Sequence, residues 1–310
     1  MNSFEDIYVE KYRPKTLNDI ALQPQHREFF EHVKATKNIS HTLLVGSPGI
    51  GKTSLSKIIV NDLLDCQYLY INASDENGID TIRHKVIGFA QTRSFDGKLK
   101  IVLLDEADAI SNEGQKALRN VVEEYAATTR FILTCNYQYK LIDPLQSRFQ
   151  IFDITPPLPC IVDRVVTVLR GENIAVDKEQ KIKLIEYIKN YYPDLRRIIN
   201  DIQKFSYSGK LNISLDSVNS IAKRLLDKIL KKETAINLRK FIIENESHFS
   251  GNYLTLLRQL FEEVFTLQIN EQVKSSMLKC ISEKMFRDSF VVDKEINCFT
   301  VCLELLEILT

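Results

Sequence analysis

At 310 residues the chain is too long for one small domain and long enough for roughly two or three, each with its own core. Its composition, 44% hydrophobic and 26% charged, is that of an ordinary globular protein, and no apolar run approaches the roughly 20 residues that cross a bilayer, which excludes a membrane-spanning chain. Lysine plus arginine and aspartate plus glutamate each number 41, so no global basic field draws in nucleic acid and any such contact must come from a local patch.

The start, "MNSFEDIYVEKYRP", has neither the basic nor the apolar region of a secretory signal, so the chain is expected to work inside the cell that makes it. From there, β-rich runs at 42–46, 68–72, 100–106, 130–135 and 150–154 alternate with amphipathic stretches of helix length. That rhythm predicts a parallel sheet covered by helices on both faces. The runs are almost continuously apolar, as strands buried on both sides require. "TPPLP" at 155–159 stops the pattern, because prolines this dense continue neither strand nor helix. Residues 160–222 then read as a few helices, with starts near Asp177, Pro193 and Asp216. From about 225 onward come further amphipathic helices, separated by "NESHFSGN" (245–252) and "RDSFVVDKE" (287–295). The six cysteines contain no CxxC pair. Only Cys298 and Cys302 share a helix face, without a nearby histidine, so all six are read as reduced core or half-buried thiols.

Two motifs carry chemistry. "GSPGIGKTS", residues 46–54, fits G-x-x-x-x-G-K-[ST] and lies between a predicted strand and a predicted helix. Gly46, Gly49 and Gly51, with Ser47, Pro48, Ile50 and Ser54 completing the loop, let the backbone curl so that its amides converge on phosphate oxygens at a helix N-terminus. Lys52 would reach the β and γ phosphates of ATP, and the Thr53 hydroxyl would bind Mg2+. "IVLLDEAD", residues 101–108, is an apolar strand ending in two carboxylates. There Asp105 would hold the metal and Glu106 would polarise the attacking water. Asn136, at the end of the next strand, is expected beside that second carboxylate, orienting the same water.

P-loop, "DEAD", an Asn at the following strand end, "SR" before the next strand and an arginine in a helical lid: this order resembles the AAA+ ATPases. Within them the chain is similar to clamp-loader ATPase subunits, the small subunits of replication factor C and the ATPase subunit of T4-type phage loaders. The stretches that carry the likeness are "VEKYRPKTLNDI" (9–20), "INASDENGID" (71–80), "FAQTRSFDGKLKIVLLDEAD" (89–108), "LTCNY" (133–137), "PLQSRF" (144–149) and "YPDLRRIIN" (192–200). The resemblance implies an α/β P-loop AAA+ core, a five-stranded parallel sheet between helices, over 1–157. A small helical lid over 158–224 and an all-α collar for oligomerisation over 225–310 would follow.

By the same resemblance Val9, Tyr12 and Arg13 would line the adenine pocket. Arg196 would sense the γ-phosphate from the lid with Arg197 as its outward neighbour, or the two exchanged. Arg148, which has no acidic residue near it in sequence, would project into the ATP site of an adjacent subunit. An arginine that acts in trans requires an oligomer, here a hetero-pentamer with four copies of this chain plus a different one, or five distinct relatives. Phe149 stands where the family usually has Cys, and Asn77 where many relatives have a basic residue. Arg83, Lys85 and Arg119 would hold primer-template DNA by its backbone, and Phe89 and Phe95 would add to the sliding-clamp surface. The bacterial loaders' zinc module is not expected, since only Cys66 falls in its place. The implied function is an ATPase that opens a sliding clamp and loads it on primer-template DNA, with no membrane partner. The compartment would be a bacterial cytoplasm for a phage protein or a nucleus for a eukaryotic one. Two other readings are a AAA+ motor for branch migration or helicase loading, and a mainly structural loader subunit.

Overall fold

The computed structural model describes residues 7–92, 99–213, 221–249, 253–288 and 290–309; Phe95 and Asp216 lie outside them. The chain divides into two compact units, Met1–Asn212 and Ile213–Thr310.

In the first unit the five apolar runs form one sheet: β1 Thr42–Val45, β2 Tyr68–Asn72, β3 Lys100–Asp105, β4 Thr129–Cys135 and β5 Gln150–Asp153. The order is β2-β3-β4-β1-β5 and every pair is parallel. Side chains alternate across a strand, and β3 uses both sides. Ile101 and Leu103 join Phe30, Leu55 and Ile59 on one face, while Val102 and Leu104 join Leu118, Val122 and Phe131 on the other. The first face is covered by α1 (Pro24–Thr36) and α2 (Lys52–Ile58), the second by α3 (Asn112–Glu124) and the helical turns between Ile79 and Gln91.

Register places the functional ends together. Asn72 pairs with Asp105, Leu104 with Leu133, and Val45 with both Cys135 and Asp153. The loops that carry the phosphate motif, the paired carboxylates and Asn136 therefore leave the sheet at one edge, outside the carboxyl ends of parallel strands, where α/β folds place ligands. Strand β3 ends one residue earlier than its apolar run suggests. Glu106 adopts φ 56°, a left-handed conformation that a strand cannot contain.

Three longer helices follow the sheet in this unit: α4 Leu158–Gly171, α5 Lys178–Tyr191 and α6 Leu195–Phe205. The side chains of Asp177 and Asp194 accept the first free amides of α5 and α6, from Gln180 and Arg197. Such caps contribute about 1 kcal/mol each. Near Pro193 the cap is Asp194 and the helix begins at Leu195, because an aspartate side chain caps and a proline does not.

The second unit is all helical among its described residues: α7 Ile221–Leu230, α8 Ala235–Glu244, α9 Tyr253–Thr266, α10 Glu271–Arg287 and α11 Lys294–Ile308. Its core gathers Leu225, Leu238, Leu256, Leu260, Ile281 and Val301, with the thiols of Cys280, Cys298 and Cys302 among them. All six cysteines are free thiols, four buried and two half-buried. Burial pushes the Cys298 thiol up to about 12, which keeps it protonated. Among the described residues no helix is long and apolar enough to cross a membrane.

Candidate nucleotide site

The loop between β1 and α2 turns on three glycines with positive φ: Gly46 at 145°, Gly49 at 79° and Gly51 at 99°. At Gly49 a second constraint applies. A Cβ there would lie 2.0 Å from Asp194 Oδ1, so the lid aspartate approaches the loop as closely as a glycine allows. Ser47 and Pro48 form the exposed tip, and Ile50 is buried beneath it. Lys52 is 8% exposed, and its ammonium donates to Gly46 O at 2.7 Å, Ser47 O at 2.8 Å and Asn136 Oδ1 at 2.7 Å. Burial lowers its pKa, an effect that the nearby Asp108, Asp105 and Glu106 oppose. The Asn136 oxygen is thus given to the lysine, whereas the second carboxylate, Glu106, accepts a short hydrogen bond from Ser74 Oγ.

Asp105 is the most heavily engaged group of the site. Thr53 Oγ1 lies 3.0 and 2.9 Å from its two oxygens, Thr134 Oγ1 donates at 2.6 Å and the Tyr70 hydroxyl at 3.1 Å. Burial, followed by the charge of Asp105, pushes the Tyr70 phenol up to about 12, so it remains a donor. A hydroxyl and a carboxylate in direct contact are the hard oxygen donors that Mg2+ takes beside nucleotide phosphates. The Thr134 hydroxyl also accepts the Glu106 amide at 3.0 Å, fixing the turn that exposes the Glu106 carboxylate. Asp108 accepts the amides of Asn136 and Tyr137 at 3.2 and 3.3 Å, which ties the end of β4 to the carboxylate loop.

A narrow cleft beside the loop brings Val9, Tyr12 and Arg13 together with Gly49, Ser54 and Arg196. The Arg196 amide donates to Gly49 O at 3.1 Å. Arg197 faces elsewhere: its guanidinium lies 4.2 Å from the Tyr191 ring centre and 3.7 Å from Asp201. Of the two arginines left open by the sequence, Arg196 is the one on the cleft. The Tyr12 hydroxyl donates to Glu172 at 2.7 Å, and Lys11 pairs with the same carboxylate at 2.6 Å. Burial, then that hydrogen bond, pushes the Tyr12 phenol up to about 12. Arg164 also lines the cleft, donating to Tyr12 O at 2.7 Å. Sequence reasoning missed it because α4 carries no motif.

Arg148 follows a short helix, Asp143–Gln146, and its partners among the described residues do not line the cleft. The fold supplies the acid that the local sequence lacks: Glu123, near the end of α3, pairs with its guanidinium, which also donates to Pro144 O and, at 3.4 Å, to Ser147 Oγ. Phe149 is 8% exposed, with its ring 5.8 Å from that of His41, so the larger side chain fills core space. His41 in turn accepts the Phe131 amide at 3.2 Å, and burial, then Arg130, pushes its pKa down to about 4.

Of the DNA candidates, Arg83 and Arg119 line one groove of about 750 Å³ between α3 and the preceding helical turns. Lys116 joins them; its signal was the three-residue spacing from Arg119, which places both on one helix face. Lys85 is paired with Glu76 at 2.6 Å and is not among the groove residues. The Asn77 carbonyl accepts the Ser111 amide at 3.1 Å, next to the start of α3. Phe89 packs half-buried against the core under Lys100, whose ammonium lies 4.4 Å from its ring centre.

Residues 42–156 match the model of the ATPase family associated with various cellular activities. The replication factor C small subunit of Saccharolobus solfataricus is 35% identical over 94% of this chain and 92% of its own. That of Methanococcus vannielii is 34% identical over 90% and 92%, and that of Sulfolobus acidocaldarius 40% identical over 67% and 65%. Among solved structures, the Thermotoga maritima RuvB Holliday junction branch migration motor aligns at a TM-score of 0.53 over 71% of this chain and 79% of its own, with 17% identity, a likeness of fold alone. With the phosphate loop, carboxylates and lid arranged as described and relatives matched over almost the whole length, the chain belongs to the replication factor C small-subunit family of AAA ATPases.

Proposed function

We propose that this ATPase subunit of a DNA-polymerase sliding-clamp loader hydrolyses ATP at a site completed by a neighbouring subunit. The observation that carries the reading is a division of labour. Lys52, Thr53 and Asp105 gather at the glycine loop and Arg196 lines the cleft beside it, while among the described residues none of Arg148's hydrogen bonds reaches a residue of either. ATP lies with its base near Val9, Tyr12 and Arg13, its phosphates in the glycine loop and its γ-phosphate between Lys52 and Arg196. Thr53 and Asp105 would hold magnesium, which would neutralise phosphate charge when bound. Glu106 leaves Ser74 to take the proton of the attacking water, and Asn136 steadies Lys52. Arg148 of the adjacent subunit meets the charge that develops on the transferred phosphoryl group.

In this reading residues 1–157 form the nucleotide core, 158–224 the lid and 225–310 an oligomerising collar. The chain assembles with other loader subunits, as four copies with one different chain or as one of five distinct relatives. Arg83, Lys116 and Arg119 hold the DNA backbone without reading bases, so binding weakens steeply with salt. The test is ATP turnover of the assembled complex with sliding clamp, primer-template DNA, both or neither. Stimulation by both supports clamp loading. Stimulation by DNA alone points to another remodelling motor, and stimulation by neither to a structural subunit.

A further inference from the structure

Arg148 is engaged by its own chain at both terminal nitrogens. Nη2 donates to Glu123, which lies 25 residues earlier in sequence, and Nη1 donates to Pro144 O and Ser147 Oγ. The Arg148 side chain is 27% exposed and that of Glu123 55%, so a carboxylate standing in water neutralises a guanidinium sheltered by its own loop. Nε is the exception. It is buried and has no hydrogen-bond partner among the described residues, so the pose leaves one donor unsatisfied, which an outward swing of the side chain would release.

We infer that Glu123 is a positioning residue that competes with the neighbouring subunit's γ-phosphate for Arg148, holding the arginine against its own subunit until that phosphate arrives. The inference rests on the reading of Arg148 as an arginine that acts in trans. A half-exposed ion pair is weak, enough to bias an equilibrium by about two- to five-fold and no more. A terminal phosphate offers three acceptor oxygens, more charge than one carboxylate, and a planar fork of donors suits it. The phosphate therefore wins when a loaded neighbour closes on the arginine, and the carboxylate wins when it does not. Glu123 lowers turnover between poorly docked subunits and leaves fully docked ones nearly unaffected.

The experiment uses the assembled complex carrying wild type, Glu123→Gln, Arg148→Ala or both substitutions. Turnover is measured without and with clamp and DNA, and binding of a fluorescent ATP analogue to the isolated subunit serves as a control for folding. Glu123→Gln is expected to raise unstimulated turnover about two- to five-fold, to change stimulated turnover little, to leave analogue binding unchanged, and to have no effect once Arg148 is alanine. If Arg148→Ala lowers turnover while Glu123→Gln lowers it too or leaves it unchanged, this inference alone fails. The same holds if the gain from Glu123→Gln persists in the double variant. If Arg148→Ala leaves assembled turnover at the wild-type level, the trans-acting reading fails and this inference with it.

Discussion

The nucleotide cleft and the Arg148 turn are both lined with charge, yet they are built in opposite ways. In the cleft each group is held by other groups of the same site: Lys52 by loop carbonyls and Asn136, and Asp105 by Thr53, Thr134 and Tyr70. At the turn one arginine is held by a single solvated carboxylate and its own loop, with its buried Nε donor left over. Dense, buried networks are costly to rearrange and fix geometry, whereas an exposed pair is worth at most about 1 kcal/mol and exchanges partners freely. If Arg148 acts in trans as proposed, the difference separates a site that must be pre-formed from a side chain that must be able to leave.

If that contrast holds, the largest effect should come from the loosely held residue, and only in the assembly. Arg148→Ala is expected to lower turnover at the neighbouring site about 10³- to 10⁵-fold while nucleotide binding to the isolated subunit stays near wild type; lost binding in the isolated subunit would break the comparison. If Glu106 polarises the attacking water as proposed, Glu106→Gln should lower single-turnover hydrolysis about 10²- to 10⁴-fold with retained nucleotide affinity.

A smaller effect tests how tightly the cleft is built. Gly49→Ala meets both a φ of 79° and the Asp194 carboxylate, and should cost roughly 1–3 kcal/mol of strain. A lower melting temperature and weakened nucleotide binding should both be seen; a variant with an unchanged melting temperature would mean that the lid yields instead.

The smallest effect concerns the support beneath the arginine turn. His41 has a folded-state pKa of about 4 against an ordinary value near 6.5, so the unfolded chain binds the proton more readily. Its contribution to stability is fully present above about pH 6.5 and is lost as pH falls toward 4. Lowered pKa at His26, again chiefly from burial, acts in the same direction. The lowered carboxylates Asp19, Glu172 and Glu304 add their loss at more acidic pH, below the ordinary carboxylate range. Between pH 7 and 5 the melting temperature of wild type should therefore drop more than that of His41→Asn, which can keep an acceptor for the Phe131 amide without titrating. Equal drops would exclude His41 as the source.

What could be read from the sequence follows how far apart the interacting residues are. The five strands, the glycine loop and the paired carboxylates were legible because each is a local pattern, and the register then had little freedom to place them anywhere but one edge. The cap aspartates Asp177 and Asp194 lie at or beside the expected starts for the same reason. Partnerships across the chain were not legible. Nothing near Arg148 signals Glu123, nothing near Tyr12 signals Glu172 at a separation of 160 residues, and the Lys52–Asn136 bond spans 84. The choice between Arg196 and Arg197 needed the stacking of Arg197 on Tyr191, which depends on how two helices of the lid cross.

The lid meets the phosphate loop through the Arg196 amide and the Gly49 carbonyl, atoms that every residue type except proline supplies. Substitution at position 196 therefore cannot erase the docking of lid on loop, short of proline. Selection on that side chain is free to answer to what occupies the cleft, so the mechanical joint and the cleft-lining side chain can drift independently although they belong to one residue.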